Sequence, residues 1–138
     1  MNDFVVRAYG ILINHKNEVL LSHEKEFGME FTKFPGGGLE YGEGLRECLA
    51  REFLEETGQH VKVLEHFYTT DFFVESAFHE KRQLISVYFY VDAIGFEKPA
   101  DTELQNFLWK PINMLSEEDV TFPVDKYVVS LLKKQMDN

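Results

Sequence analysis

The sequence is poor in cysteine, in positive charge and in long apolar runs, and each shortage removes a class of function. Cys48 is the only cysteine among 138 residues. An intrachain disulfide and a multi-cysteine metal centre are therefore excluded, and Cys48 reads as a buried, reduced core residue inside a helical stretch. Lys and Arg number 14 against 24 Asp and Glu, a formal charge of −10. That balance argues against non-specific attraction to a nucleic-acid polymer or an anionic membrane. It would also repel a small anionic substrate unless a cation stood between. No apolar run approaches transmembrane length, and the opening "MNDFVVRAYG" has an acidic residue and no apolar leader core. The expected location is the cytoplasm. The five histidines, His15, His23, His60, His66 and His79, show no ligand-like spacing.

Hydrophobic residues make up 44%, with thirteen Phe and six Tyr spread along the length, which is the composition of a folded chain with a real core. No linker, low-complexity segment or internal repeat interrupts it, so residues 1–138 read as a single domain. Phe4–Asn14 and Glu18–Glu24 read as a hairpin, and "KEFGMEF" as a loop leading to Phe34. Glu43–Thr57 reads as a helix stopped by Gly58. Val61–Val74 and Arg82–Ile94 read as long strands, and Gln105–Pro111 as a short strand halted by proline. Val124–Met136 reads as an amphipathic helix with Tyr127, Val128, Leu131 and Leu132 on one face. Strands, helix, strands, helix is the order of an α/β mixed sheet with helices packed on it.

One stretch carries chemistry: "FPGGGLEYGEGLRECLAREFLEETG", Phe34–Gly58. On a helix, Glu52 lies three residues from Glu55 and four from Glu56, so the three share a face, flanked by Arg51. Leu49, Ala50, Phe53 and Leu54 fall on the other side and are expected to pack inward. Like charges at these spacings cost roughly 0.2–0.5 kcal/mol per pair. A hard divalent cation needs several converging oxygen donors of this kind. By themselves the glutamates would read as a solvated face. The glycines Gly36, Gly37 and Gly38 add a backbone that a ligand can approach closely. No Gly-Lys-Ser/Thr follows, so this is not a phosphate-binding P-loop.

The spacing resembles the signature of the Nudix hydrolases, G-x5-E-x7-R-E-U-x-E-E-x-G-U with U apolar. Gly37, Glu43, Arg51, Glu52, Glu55, Glu56 and Gly58 occupy all seven fixed positions. Phe53 fills the first U, and Gln59 departs from the last. "FPGGGLEYGE" and "FLWKPINML" extend the likeness on either side. The resemblance implies an α/β/α sandwich with the box helix and the C-terminal helix on a mixed sheet. It also implies an enzyme that cleaves a nucleoside diphosphate linked to another moiety, by water attack at phosphorus with Mg²⁺ or Mn²⁺. Carried over, Glu52, Glu55 and Glu56 are the metal ligands, with the Gly36 carbonyl a further one. Arg51, partnered by Glu43, would hold the glutamates in place. Gly37 and Gly58 would support the site. The general base would be Glu52 or a glutamate ahead of Trp109, where Glu97, Asp101 and Glu103 are available and Glu103 sits best by distance.

Phe27, Phe31, Phe72, Phe73 and Phe78 could stack on a base, although core or surface packing is the simpler reading of each. Lys81 and Arg82 could meet a phosphate, or simply form a solvated strand end. The family's marks of ADP-ribose, diadenosine-polyphosphate and NADH cleavage are missing after the box, where Val74, Glu75, Ser76, Ala77 and Phe78 stand. A nucleoside triphosphate or nucleotide sugar is left as substrate. The resemblance allows a homodimer, for which no residue of the sequence argues. The competing reading is a catalytically silent Nudix-fold module that senses a nucleotide or binds a partner, and the complete set of box glutamates speaks against it.

Overall fold

A computed structural model describes residues 3–136 of the chain. In order, the elements are β1 (Asp3–Leu12), β2 (Glu18–Glu26), β3 (Met29–Lys33), β4 (Gly36–Gly38), α1 (Leu45–Thr57), β5 (Lys62–Thr69), β6 (Arg82–Asp92), β7 (Gln105–Pro111) and α2 (Pro123–Met136). Single 3₁₀ turns at Ile112–Met114 and Glu117–Asp119 lie between the last two. The chain divides into two units. One combines the stretch up to Ile11 with Pro35–Phe96; the other combines Leu12–Phe34 with the stretch from Glu97 onward.

The first unit is built on a four-stranded sheet in the order β4-β1-β6-β5. β4 is antiparallel to β1, with Ala8 opposite Gly37 and Arg7 opposite Gly38, and β5 is antiparallel to β6. Three contacts fix the direction of β1 against β6. Phe4 and Gln83 line one cavity, the Tyr9 and Tyr88 rings are 5.3 Å apart, and a Cβ on Gly10 would meet Val91 at 2.8 Å. Start lies beside start and end beside end, so this pair is parallel and the sheet is mixed. The same Gly10 position would press on Phe53 at 2.8 Å, which is why the strand has no side chain there: α1 sits directly above. Cys48, Leu49 and Phe53 are the buried residues of α1. Burying Phe53 contributes about 1.5–3 kcal/mol.

Both ends of α1 are satisfied locally. Glu47 accepts a hydrogen bond from the backbone N–H of Gly44 at 3.0 Å. At the other end Gly58, at φ 69°, donates its N–H to the Leu54 carbonyl, the left-handed cap that glycine adopts without strain. Glu43 thus precedes the helix, and the expected start moves two residues on, to Leu45. Leu54, expected to pack inward, is 41% exposed.

The second unit holds the antiparallel sheet β3-β2-β7. The expected hairpin between the first two strands is not formed as a ladder: β1 and β2 join different sheets, and the turn between them is closed by the bridge Ile13–Val19 and by the Asn14 N–H donating to the Glu18 carbonyl at 2.9 Å. The expected loop "KEFGMEF" is instead the hairpin β2–β3. Its two-residue turn, Phe27 at φ 54° and Gly28 at φ 71°, has the positive dihedrals that match the twist of paired strands. α2 buries Val124, Asp125, Val128, Val129 and Leu132. Tyr127, expected on that face, is 43% exposed. Lys126 ties the helix down by donating to the Glu117 and Val120 carbonyls, both at 2.7 Å.

Candidate active site

The site grows out of a crossing of β4 and α1. Glycine at position 37 lets them touch: an added Cβ would stand 2.3 Å from Glu52 Oε1 and 2.4 Å from its carboxyl carbon. The Glu52 carboxylate therefore rests on bare backbone, with its side chain 17% exposed. At Gly36, where φ is 147°, a Cβ would come within 2.0 Å of the Ala8 carbonyl oxygen. The run of glycines is thus a strand, held by pairing and closed to side chains at two positions.

Arg51 is the hub. Its Nε donates to Glu43 Oε2 at 2.9 Å and its Nη2 to Glu43 Oε1 at 2.6 Å, a two-pronged contact of the strong, charge-assisted kind. Nη2 also donates to the Gly38 carbonyl at 2.9 Å. Nη1 reaches Glu55 Oε2 at 3.2 Å and Glu52 Oε1 at 3.4 Å. One guanidinium therefore links the loop before α1, the strand β4 and the acidic face of the helix. The bond from Arg51, reinforced by the backbone N–H of Glu40, lowers the Glu43 carboxyl to a pKa of about 2. In return Glu43, with Glu52 behind it, holds the Arg51 guanidinium charged well above its ordinary range.

Glu55 is the most open of these groups, its side chain 58% exposed, while Glu56 is half-buried. Cys48 lies beneath the crossing with its Sγ 3.4 Å from the Gly38 carbonyl. Burial and the nearby Glu43 charge push this thiol up to about 12, so it is an inert filler rather than a nucleophile.

Among the described residues, no three His, Cys, Asp or Glu side chains already stand in an ion-holding array. The donor set nonetheless suits a hard dication. Glu43 is committed to Arg51, whereas Glu52, Glu55 and Glu56 present carboxylates on one helix face, and Gly37 forms a cradle that a single methyl group would fill. Glu103 is an exposed loop residue of the second unit, just before β7.

Of the aromatic candidates, Phe31 is core, 2% exposed and packed on Phe122. Phe27 forms the hairpin tip, and Phe72 and Phe73 are exposed. Phe78 packs against the guanidinium of Arg7. Arg7 and Glu40 are neighbours of the site that sequence reasoning missed. Only tertiary pairing brings Arg7 there, and no local pattern announces it.

Known proteins agree with this architecture. The NUDIX domain family matches residues 3–132. The chain is 30% identical over 120 residues to an 8-oxo-dGTP diphosphatase of Buchnera aphidicola, covering 86% of this chain and 90% of that one. A shorter match, 37% over 57 residues, joins 41% of the chain to 22% of the NAD-capped RNA hydrolase NudC of Vibrio parahaemolyticus. The E. coli ORF135 protein superposes with a TM-score of 0.76 at 18% identity, over 98% of this chain and 92% of that one, a likeness of fold. A solved MutT, from a comparison of Aliivibrio salmonicida and Vibrio cholerae, is 25% identical with a TM-score of 0.67, over 96% of this chain and 99% of that one. With the α/β fold, the full box and a family match across nearly all of its length, this chain belongs to the Nudix hydrolase family.

Proposed function

We propose that this protein hydrolyses a pyrophosphate bond in a nucleoside diphosphate derivative, with a nucleoside triphosphate as the first candidate substrate. The observation that carries the reading is the Arg51 hub, which fixes Glu52 and Glu55 against a glycine strand on the acidic face of the box helix. The Buchnera relative, aligned over most of both chains, supports a nucleoside triphosphate. The family match spans residues of both units, which supports reading the chain as one domain. The free, buried Cys48 fits a reducing compartment, and the cytoplasm is the proposed location.

Glu52, Glu55 and Glu56, with the Gly36 carbonyl, would hold Mg²⁺ or Mn²⁺, which when bound neutralises phosphate oxygens and acidifies the attacking water. The chain's own residues do the rest. Arg51 does not touch substrate; it holds the glutamates in register, and Glu43 holds Arg51. Glu52 or Glu103 takes the proton as the water oxygen bonds to phosphorus, while the bond from phosphorus to the bridging oxygen breaks. The site works by positioning and by preorganised charge.

A panel of dGTP, 8-oxo-dGTP, UDP-glucose and ADP-ribose, incubated with Mg²⁺ or with EDTA, tests the reading. Mg²⁺-dependent release of a nucleotide monophosphate from at least one of them is expected. No turnover of any, or turnover equal in EDTA, would overturn it.

A further inference from the structure

The face of the first sheet turned away from α1 carries an arginine and a buried hydroxyl that lie outside the box. On β1, Ala8 and Gly10 point toward α1, so alternation puts Arg7 and Tyr9 on the other face. On β6, Phe89 lies under Arg46 of the helix and Val91 beside Phe53, so Ser86 and Tyr88 share the face of Arg7 and Tyr9. The two strands run parallel with Tyr9 against Tyr88, which brings Ser86 level with Arg7.

Arg7 is already oriented. Its guanidinium carbon lies 5.5 Å from the centre of the Tyr9 ring and 5.8 Å from that of Phe78, and Nε donates to the Tyr9 hydroxyl. A guanidinium packed on rings in this way keeps its charge and has lost most of its freedom beforehand. Ser86 is 1% exposed, and its Oγ has no hydrogen-bond partner among the described residues. Its backbone is pinned by Thr70, whose Oγ1 accepts from Ser86 N–H at 2.8 Å and donates to the Ser86 carbonyl at 3.1 Å. A buried hydroxyl left without a partner is unfavourable, and a ligand oxygen would relieve it.

The position matters as much as the chemistry. Arg7 is the register partner of Gly38, whose carbonyl accepts from Arg51. One strand spacing, about 4.8 Å, separates the backbone of Arg7 from the strand on which Glu52 rests. In a chain of net charge −10, phosphate oxygens beyond the metal's reach need a cation of the protein's own.

We propose that Arg7, with Ser86 beside it, binds a phosphate group of the substrate next to the one attacked by water, and so selects substrates with an extended phosphate chain. This rests on the pyrophosphohydrolase reading above. The test uses the full chain and its Arg7→Met, Arg7→Lys and Ser86→Ala variants, with dGTP hydrolysis in Mg²⁺ and thermal melts with inorganic tripolyphosphate. Arg7→Met should raise KM for dGTP about ten- to a hundredfold with kcat little changed, the result of losing a hydrogen-bonded charge that acts equally in ground and transition states. Lysine should restore part of it, and Ser86→Ala should raise KM about three- to tenfold. Tripolyphosphate should raise the melting temperature of wild type and Arg7→Lys more than that of Arg7→Met. If Arg7→Met does not fold, Arg7→Lys and Ser86→Ala decide the matter. Wild-type KM and melting shifts in all folded variants would overturn the proposal while leaving the hydrolase reading intact. A tripolyphosphate shift that depends on Arg7, in a protein that cleaves nothing, would support this site and sink that reading.

Discussion

Substituting alanine for Gly37 probes the crossing of β4 and α1 with one methyl group. The new Cβ would lie 2.3 Å from Glu52 Oε1 and 2.6 Å from Oε2, where ordinary contact begins at 3.4 Å. The carboxylate must retreat by about 1.1 Å, because the methyl group is fixed to a paired strand and the glutamate is the flexible partner. A displacement of about 1 Å at a reacting centre costs on the order of 10²-fold, so kcat/KM in Mg²⁺ should fall by about that factor. Stability should fall less dramatically, by about 1–3 kcal/mol as in other overpacked sites, leaving a folded protein. Gly38→Ala is the matched control, since nothing lies within 4 Å of its added Cβ; it should retain activity near wild type. Steady-state kinetics and melting curves of both variants decide. Full activity in Gly37→Ala, or equal losses in both, would refute the claim that Glu52 works from this cradle.

The depressed Glu43 carboxyl makes a pH prediction. Its folded pKa of about 2 lies below the ordinary 4.5, so its contribution to stability is complete above pH 4.5 and is lost as pH falls from 4.5 toward 2. Melting temperatures measured across that window should fall less steeply in Glu43→Gln than in wild type; parallel curves would refute the linkage. For the base, Glu103→Gln should lower kcat on the order of 10²-fold and more than Glu97→Gln or Asp101→Asn. Small, equal effects at all three positions would return the role to Glu52.

What could be read without the structure followed the strength of local signals. The box announced itself through spacing, and β7 and α2 through composition: proline closes the strand at Pro111 and a 3.6-residue apolar period marks Val124, Val128 and Leu132. β4 was illegible because three glycines have no alternating pattern; pairing with Arg7, Ala8 and Tyr9 makes them a strand. The β2–β3 hairpin was missed because Phe27, not Asn or Asp, takes the first left-handed position of its turn. Strand existence was clear for β1 and β2, but the sheet each one joins depends on partners far along the chain. Arg7 illustrates the same limit in the candidate site: its meaning comes from facing Gly38 and packing on Phe78, 71 residues later in the chain.

The central claim is that the acidic face of α1 exists to hold a divalent cation, and paired melts of wild type and Glu56→Gln in EDTA and in Mg²⁺ test it most directly. A ligand that binds only the folded state at a hundredfold excess over its Kd stabilises by about 2.7 kcal/mol, several degrees for a domain of this size. Wild type should show that shift. Glu56→Gln should show little of it, melt in EDTA no lower than wild type because its like-charge pair with Glu52 is relieved, and lose most of its hydrolytic activity. A wild type whose melting ignores Mg²⁺, together with near-normal hydrolysis by Glu56→Gln, would contradict the account.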